Sequence, residues 1–417
     1  MQPPSKRWLI ADRLPDHADR ELQQYHPILR QVLYNRGVNN AAAALQYVLA
    51  APPPGSEPEN LSSMSLAVDR IVYAIHHHQP IAVYGDYDAD GVTASALLVQ
   101  ALQKLNATVR GYIPDRFSEG YGLNIDALTA LQQEGIQLVI TVDCGIRSPD
   151  EAEYAKKLGL DLIITDHHHP AADLPAALAI INPKQPGDTY PDKDLAGVGI
   201  AYKLASALLA EGQGASDGLP DIREFLDLVA LGTVADIAPL VGENRALVRQ
   251  GLRILNNQQR QGLRSLIGAS GIANRSISAE DIGFTLGPRL NAAGRLDSAL
   301  ASLELLLSQD VLRTGYLSQV LNDQNRDRQQ ITREIQSSAE AIALAQEPEP
   351  LLLFAASPDY NPGIVGLAAS KLQEKYYRPA IVAQQGEQYT RASCRSIAEF
   401  HITDALDECA DLLVHHG

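Results

Sequence analysis

The chain has 417 residues, of which 45% are hydrophobic and 20% charged, a composition that predicts a globular protein with two or more domains. The net charge of −16 argues against a protein that coats nucleic acid nonspecifically, but it does not exclude a nuclease, because carboxylates that bind metal also make a chain acidic. Three widely spaced cysteines exclude a disulfide framework or a zinc knuckle, and the absence of a run of about 18 apolar residues argues against membrane insertion and secretion, so we expect a cytoplasmic protein.

The first 60 residues predict a helical prelude that ends in a linker. Apolar residues recur at helical spacing over residues 27–33 and 41–49. Residues 51–58 contain four prolines, which predicts a stiff, solvated linker. A further helix ends in the histidines at residues 76–78, which suit a helix C-terminus, where positive charge is favoured. Metal binding by these histidines is the alternative.

Three carboxylates at alternate positions, Asp86, Asp88 and Asp90, follow the apolar residues 81–84. The apolar run predicts a buried parallel strand, and a helical pattern begins at Gly91. The acids therefore lie at the carboxyl end of a strand, where open α/β sheets bind ligands. Repulsion among three anions is most simply relieved by divalent cations bound through oxygen. An acidic turn is the alternative, whereas a calcium-binding loop is disfavoured because its later Glu and its preceding helix are missing.

Further apolar runs repeat this pattern of a strand followed by polar residues. The predicted strands are residues 81–84, 138–142, 162–165 and 178–181. Asp143 follows the second strand, and Asp166, His167 and His168 follow the third. Helical segments separate the strands, and one of them begins with a capping box at residues 148–151. The pattern predicts a doubly wound parallel α/β sheet with these acids and histidines along one edge.

A mostly helical segment follows the sheet. Asp236 lies there in an apolar setting, and from the pattern alone it is either a helix cap or a metal ligand. Residues 287–296 predict a glycine-bracketed loop in which Arg289 and Asn291 suit an anionic ligand. Residues 311–345 contain no proline and predict one helix, on the order of 50 Å long, that connects two domains.

A smaller second α/β domain is predicted after this helix. Its predicted strands are residues 351–355, 379–383 and 389–395. A glycine-rich turn over residues 361–366 begins a helix between the first two strands. The last strand ends with Ser393 and Arg395, and a hydroxyl, an arginine and a helix N-terminus together predict a phosphate-binding site.

The acids and histidines at the sheet edge indicate a metal site. Carboxylate and imidazole ligands without a thiolate suit manganese better than calcium, and their number suits two ions better than one. Two ions about 4 Å apart bridge a water, lower its pKa and bind the phosphoryl oxygens of an in-line displacement. The predicted reaction is hydrolysis of a phosphoester.

Several ordered motifs resemble a known family. Asp166-His167-His168, together with the D-x-D-x-D-G stretch, resembles the DHH phosphoesterase superfamily. Within it, the chain is similar to the RecJ family of single-strand-specific 5′-to-3′ DNA exonucleases, and the similarity runs from about residue 65 to the end. The motifs that carry the similarity are residues 85–91, 113–117, 142–145, 235–240 and 289–295.

The resemblance implies a role for each residue of the site. The implied metal ligands, for two Mn²⁺ ions or for Mg²⁺ as a substitute, are Asp88, Asp90, Asp143, His167 and Asp236. The implied catalytic residues are Asp86 beside the ligands, His168 at the scissile phosphate as an acid or phosphate ligand, and Asn291 at a substrate phosphate. The implied nucleic-acid contacts are Arg289 and, at the 5′ phosphate, Arg116, Ser393 and Arg395.

The resemblance also implies the domain organisation and the partners. We expect an N-terminal prelude and linker (1–60), a DHH catalytic domain with a helical segment (61–310), a connecting helix (311–347) and a DHHA1-type substrate-binding domain incomplete at its C-terminus (348–417). The implied partners are single-stranded DNA with a 5′ end, a single-strand-binding protein and a helicase, with the protein itself a monomer in DNA repair and recombination.

RecJ proteins usually continue with a glycine-glycine-histidine motif and an oligonucleotide-binding barrel, so this chain is expected to be either a fragment or a shortened gene product. Two other functions are left open. One is a small-molecule DHH phosphoesterase, acting on pyrophosphate, a cyclic dinucleotide or short oligonucleotides. The other is an inactive scaffold.

Overall fold

The computed structural model describes residues 8–116, 119–120, 122–212, 221–257, 259–346 and 349–414. Phe117 of the motif at residues 113–117 and the end of the chain, residues 415–417, lie outside this part. The described residues form two compact units, one of residues 11–322 and the other of residues 323–414 with residues 8–10. No helix in the described ranges is long and apolar enough to cross a membrane.

The first unit contains a five-stranded parallel sheet in the order β2-β1-β3-β4-β5. Its strands are β1 (Ile81–Gly85), β2 (Val109–Tyr112), β3 (Leu138–Val142), β4 (Asp161–Thr165) and β5 (Ala179–Ile181). The four predicted strands are present as β1, β3, β4 and β5, and β2 was missed because this half-exposed edge strand lacks an apolar run. Its Gly111 packs closely against Leu303, since a Cβ there would lie 2.8 Å from a side-chain carbon of that residue.

Helices cover both faces of this sheet. The helices of the first unit are α1 (Asp16–Glu21), α2 (Pro27–Tyr34), α3 (Ala41–Leu49), α4 (Met64–His76), α5 (Ala89–Lys104), α6 (Ile125–Gln133), α7 (Pro149–Lys157), α8 (Gly197–Gly212), α9 (Leu226–Ala235), α10 (Gly242–Asn256), α11 (Gln261–Ala269), α12 (Ala279–Asp281), α13 (Gly287–Leu296) and α14 (Leu300–Leu307). Alternate residues of β1 divide between two cores: Val83 packs with the large core of α4, α5, α8 and α9, and Tyr84 packs with the small core of α6 and α7. The doubly wound parallel sheet is therefore confirmed.

The strand order places the predicted acids at a point of topological change. The chain passes from β1 to β2 on one side and then to β3 on the other side of β1. Crevices at such a switch point, outside the carboxyl ends of the strands, are where open α/β sheets bind ligands. Asp86 follows β1, Asp143 follows β3 and Asp166 follows β4, so three neighbouring strands deliver acids to this edge.

Three local predictions were wrong, wholly or in part. Residues 287–296 form a helix, α13, preceded by a π-helical turn (Ile282–Leu286), because their glycines serve close helix packing: a Cβ on Gly287 would lie 2.9 Å from Ala235 Cβ. Ser148 precedes α7 but makes no side-chain cap hydrogen bond. The predicted solvated linker, residues 51–58, is solvated only in part, because Ser56 is buried whereas Pro52, Pro54 and Glu57 are exposed.

A buried polar cluster attaches the segment around Ser56 to the first unit. The Tyr190 hydroxyl lies 2.5 Å from Glu243 Oε2 and 3.0 Å from the carbonyl oxygen of Ser56. Lys203 donates to the same carbonyl at 2.5 Å and forms an ion pair with Glu243. Buried charges need such compensation, so this cluster joins α8, α10 and the proline-rich segment.

The second unit is built on a three-stranded sheet in the order β6-β7-β8, from β6 (Leu353–Ser357), β7 (Ala380–Gln385) and β8 (Thr390–Arg395). β6 and β7 are parallel, and β8 is antiparallel to β7. Its helices are the second part of α15 (Val311–Gln346), α16 (Val365–Tyr376) and α17 (Ile402–Asp407). α15 contains 36 residues, which confirms the predicted long helix.

We predict that Tyr190→Phe lowers the free energy of unfolding by about 1–3 kcal/mol, because the change leaves the buried Glu243 Oε2 without its phenol donor. Urea denaturation measures the effect. Tyr316→Phe is the matched control, since Tyr316 is 61% exposed and belongs to the same unit. Equal, small effects of the two changes would contradict a stabilising role for the buried cluster.

Candidate metal centre

The turn after β1 turns its acids inward. Asp88 is the N-cap of α5, and its Oδ1 accepts from the backbone nitrogens of Asp90 and Gly91 at 2.8 and 3.1 Å. Asp86 is buried and accepts from the nitrogen of Tyr87 at 2.7 Å. A Cβ on Gly91 would lie 2.5–2.7 Å from backbone atoms of Asp86, so only glycine allows the helix to begin this close to the strand.

Asp90 is fully buried and is held by a second helix. Its two carboxylate oxygens accept from the nitrogens of Gly197 and Val198, at 2.7 and 2.9 Å, in the first turn of α8. Backbone donors at a helix N-terminus stabilise a carboxylate. These bonds join Asp90 to residues more than 100 positions later in the sequence.

Asp143 has an unusual backbone conformation. Its φ of 64° lies in the left-handed region, and its side chain is almost completely buried. Aspartate tolerates this region better than most residues, and such strain is typical of functional positions. The side chain is tightly enclosed, since a Cβ on Gly197 would lie 2.7 Å from both Asp143 Cβ and Oδ1.

Asp166 supports the two histidines that follow it. Its Oδ1 accepts from the nitrogens of His167 and His168 at 2.7 and 3.0 Å and lies 2.7 Å from His168 Nδ1. Its Oδ2 accepts from the nitrogen of Ile146 at 3.0 Å. Although burial alone would raise its pKa, the hydrogen bonds and charge of His168 and the backbone donors hold the pKa of Asp166 below its usual value. Asp166 is therefore a buried anion that positions the histidine pair.

His167 is the centre of the ligand cluster. Its Nε2 lies 3.1 Å from Asp143 Oδ1, 3.8 Å from Asp236 Oδ2 and 3.9 Å from Asp90 Oδ2. Burial, and then the charge of His168, lower the pKa of His167 to about 4, which leaves a neutral imidazole near neutral pH. Neutral imidazole is the form that binds metal.

Asp236 is the C-cap of α9, as one interpretation of its sequence pattern predicted, and it also lies in this cluster. Burial is the main reason that its pKa is raised to about 7, and the charge of Asp88 adds to it. The pKa of Asp86, Asp90 and Asp143 is raised as well, in each case by burial first and by neighbouring carboxylates second. The site therefore carries more negative charge than the protein alone can stabilise.

The residues fit a divalent metal. Asp143 Oδ1 and His167 Nε2 are both buried, and neither makes a hydrogen bond with any described residue. Three groups of possible ligands have their donor atoms within 4.8 Å of one another: Asp143, His167 and His168; Asp90, His167 and Asp236; and Asp86, Asp88 and Asp143. Buried ligand atoms without a hydrogen-bond partner, among repelling carboxylates, are the arrangement that a cation would complete.

Asn291 and Arg289 lie on α13, next to the acidic turn. Asn291 Oδ1 accepts from the nitrogen of Ala89 at 2.7 Å, at the start of α5. A Cβ on Gly294 of the same helix would lie 2.5 Å from the carbonyl oxygen of Tyr87. Arg289 donates to Asn322 Oδ1 at 3.1 Å and to the carbonyl of Thr285 at 2.7 Å. Asn291 and Arg289 therefore make contacts within the protein, in addition to the predicted contacts with substrate phosphates.

Arg116 lies near the acidic turn, with its guanidinium carbon 4.9 Å from the centre of the Tyr87 ring. Ser393 and Arg395 belong to the second unit, on β8. There, Arg395 donates to Ser370 Oγ at 2.9 Å, and a Cβ on Gly366 would lie 3.2 Å from both Arg395 Nη2 and Ser393 Oγ. The predicted serine, arginine and helix start therefore meet at the N-terminal turn of α16.

The sequence did not predict that the first residues of α8 bind Asp90. It predicted Asp166 only as one of the acids at the sheet edge. No local signal marks Gly197 or Val198, since their contact with Asp90 depends on the packing of α8 on α5. The Asp-His-His run did carry a signal for Asp166, because an aspartate can accept hydrogen bonds from the two residues that follow it.

The sequence of this chain is similar to those of several known proteins. Residues 80–233 match the DHH family, N-terminal domain. The chain is 42% identical over 415 residues to the single-stranded-DNA-specific exonuclease RecJ of Bacillus subtilis, covering 99% of this chain and 52% of the relative. It is 39% identical over 394 residues to the Escherichia coli protein of the same name, covering 91% of this chain and 68% of the relative.

A solved structure agrees with these relatives. The crystal structure of RecJ in complex with Mn²⁺ from Thermus thermophilus superposes with a TM-score of 0.81 at 32% identity, covering 96% of this chain and 56% of that one. This chain thus spans about half the length of the Bacillus and Thermus proteins.

We predict that Gly197→Ala weakens divalent metal binding at least tenfold, because the added methyl would collide with the enclosed side chain of Asp143. Calorimetric titration with Mn²⁺ measures it, with circular dichroism as the test of folding. Gly199→Ala is the control: it lies on the same helix, and the atoms nearest to its added Cβ would belong to the Leu195 side chain, at 3.3 Å or more. Equal affinity in the two variants would contradict the placement of Asp143 in the metal site.

Proposed function

The chain belongs to the RecJ family of DHH proteins, and from this premise we propose that it hydrolyses single-stranded DNA from the 5′ end and releases mononucleotides. The observation that carries the proposal is the pair of buried atoms, Asp143 Oδ1 and His167 Nε2, without hydrogen-bond partners in the described chain, in the centre of a carboxylate cluster. Such a cluster is suited to metal-assisted cleavage of a phosphodiester.

Two divalent ions are proposed, Mn²⁺ with Mg²⁺ as a substitute. The three groups of possible ligands share members, since Asp143 and His167 each belong to two of them. Such sharing supports two neighbouring ions rather than one. The residues that would hold the metal are Asp88, Asp90, Asp143, His167 and Asp236. When bound, such ions supply a water of lowered pKa and neutralise charge on the phosphoryl oxygens. A related protein crystallised with Mn²⁺ supports the choice of metal.

The remaining residues of the site would bind and orient the substrate. Asp166 holds His168 through Nδ1, which directs the histidine ring beside Asp143, and we assign its other nitrogen to the scissile phosphate. Asp86 is assigned a place beside the ligands. Asn291 and Arg289 are assigned to substrate phosphates, although the contacts of Asn291 with Ala89 also position the acidic turn.

The 5′ phosphate is the proposed source of strand polarity. The residues assigned to it, by resemblance to the RecJ family, are Arg116, Ser393 and Arg395. Guanidinium groups bind phosphate through charge-assisted, bidentate hydrogen bonds, and the amides of a helix N-terminus add donors. A role in repair and recombination, the protein partners and the monomeric state stay predictions.

Purified protein should be incubated with single strands labelled at the 5′ or the 3′ end, with Mn²⁺. We expect the 5′ label to be released first as a mononucleotide, and blunt duplex to resist. His167→Ala, which removes the central ligand, is the inactive control, and Asp150→Ala, which removes an exposed acid on α7, is the matched control that should retain activity. Release from the 3′ end, or equal digestion of duplex, would contradict the proposal.

A further prediction concerns the 5′ phosphate. Arg395→Ala should slow cleavage of 5′-phosphorylated strands about 10- to 100-fold, because one charge-assisted contact is worth roughly 1.5–3 kcal/mol, and 5′-hydroxyl strands should be affected much less. Initial rates on the two substrates measure the effect. The control is Arg391→Ala, an exposed arginine at the start of the same strand. Equal losses on both substrates would show that Arg395 does not bind the terminal phosphate.

A further inference from the structure

Arg116 lies in the connection between β2 and α6, of which residues 113–116, 119–120 and 122–124 are described. Among its described residues, Glu119 joins this connection to β2. Its Oε2 accepts from the nitrogen of Asp115 at 2.6 Å, and its Oε1 accepts from the Tyr112 hydroxyl at 2.5 Å. The nitrogen of Glu119 in turn donates to the carbonyl of Asp115 at 2.8 Å. One carboxylate thus ties the residue before Arg116 to the last residue of β2.

A second tyrosine holds the other end of the connection. The Tyr84 hydroxyl donates to the carbonyl of Gly122 at 2.9 Å and accepts from Asn124 Nδ2 at 3.1 Å. Tyr84 and Tyr112 are paired across β1 and β2, and their rings stack with centres 5.0 Å apart. Tyr84 is fully buried and lies two residues before Asp86. The connection is therefore attached to the strand that carries the metal-ligand turn.

Arg116 is also positioned from the side of the metal centre. Its guanidinium faces the ring of Tyr87, which lies between Asp86 and Asp88 in sequence. A cation over an aromatic ring at this distance is attracted to it only weakly when water can still reach the cation. This contact alone is too weak to define the position of a long, flexible side chain, so the backbone beneath it must be held by other contacts.

We propose that Tyr84, Tyr112 and Glu119, here called the loop anchor, are positioning residues that hold Arg116 at a defined distance from the metal-ligand turn and so set the preference for a 5′ phosphate. This inference rests on the proposed function. The loop anchor does not touch the substrate; it acts through the backbone of Asp115. The hydroxyls of Tyr84 and Tyr112, on adjacent strands, hold the two ends of the connection. A loop without a positioning role would not need both contacts.

The test uses the ratio of the cleavage rates of 5′-phosphorylated and 5′-hydroxyl single strands. Glu119→Ala and Tyr112→Phe should each lower this ratio about tenfold, because they release the backbone of Asp115 or leave the carboxylate without its phenol donor. Glu119→Gln should keep a nearly native ratio, since an amide can accept from Asp115 and donate to Tyr112. Glu134→Ala is the matched control: it removes an ion pair with Arg110 on β2, and Glu134 makes no hydrogen bond or ion pair with the described residues of the connection.

A double variant separates positioning from general stability. If the loop anchor acts through Arg116, Glu119→Ala should change the ratio no further in an Arg116→Ala background. Equal losses on both substrates, or a full additional loss in that background, would overturn the proposal.

Amide hydrogen exchange provides a readout that does not depend on activity. Glu119→Ala should speed exchange at the Asp115 amide, which donates to Glu119, while Glu134→Ala should not. If the native protein shows no preference for a 5′ phosphate, or Arg116→Ala leaves the preference unchanged, the role proposed for Arg116 fails. Hydrogen exchange then tests separately whether the loop anchor holds the backbone. An unchanged exchange rate at the Asp115 amide in Glu119→Ala would overturn that role.

Discussion

The mutual repulsion of buried carboxylates is the constraint on which the first unit depends. Asp86, Asp90 and Asp143 are almost fully removed from water within one crevice, and burial with neighbouring charge raises the pKa of each. A fold retains such a cluster only if donors and cations compensate it. The first amides of α8 compensate Asp90, and those of the turn after β1 compensate Asp88. Asp143 and His167 are left with buried atoms that no described residue satisfies, and this is why we regard the crevice as a metal centre.

Close backbone approach is the second requirement, and three glycines provide it. Gly91 allows α5 to begin against Asp86, Gly197 allows α8 to reach Asp143, and Gly294 allows α13 to reach Tyr87. In each case a methyl group would lie within 2.7 Å of the facing atom. These contacts explain why a mostly helical segment, distant in sequence, belongs to the same site. The helices enclose the acidic turn, and enclosure produces the low polarity that strengthens every charge interaction inside it.

Much of the site could be predicted because its signals are local. An apolar run followed by alternating acids indicates a strand end, and the parallel connection rule then brings Asp86, Asp143 and Asp166 to one edge. The edge strand β2 was missed because Arg110 and Gly111 interrupt any apolar pattern, and α13 was taken for a loop because its glycines serve packing rather than turns. In both places the deciding interaction involves residues far away in the chain.

The sequence by itself determined the doubly wound sheet, the long helix α15 and the acids and histidines that follow its strands, since periodicity and strand-end chemistry are properties of short segments. The tertiary structure alone decided which of these side chains face one another in the cluster and which hydrogen-bond to the backbone around it. Asp166 and His167 are adjacent in sequence, yet Asp166 turns to the backbone amides and His168, while His167 turns to Asp90, Asp143 and Asp236. That division depends on the left-handed φ of Asp143 and on the packing of α8 and α9, which bring distant atoms within a few ångströms and which no local pattern records.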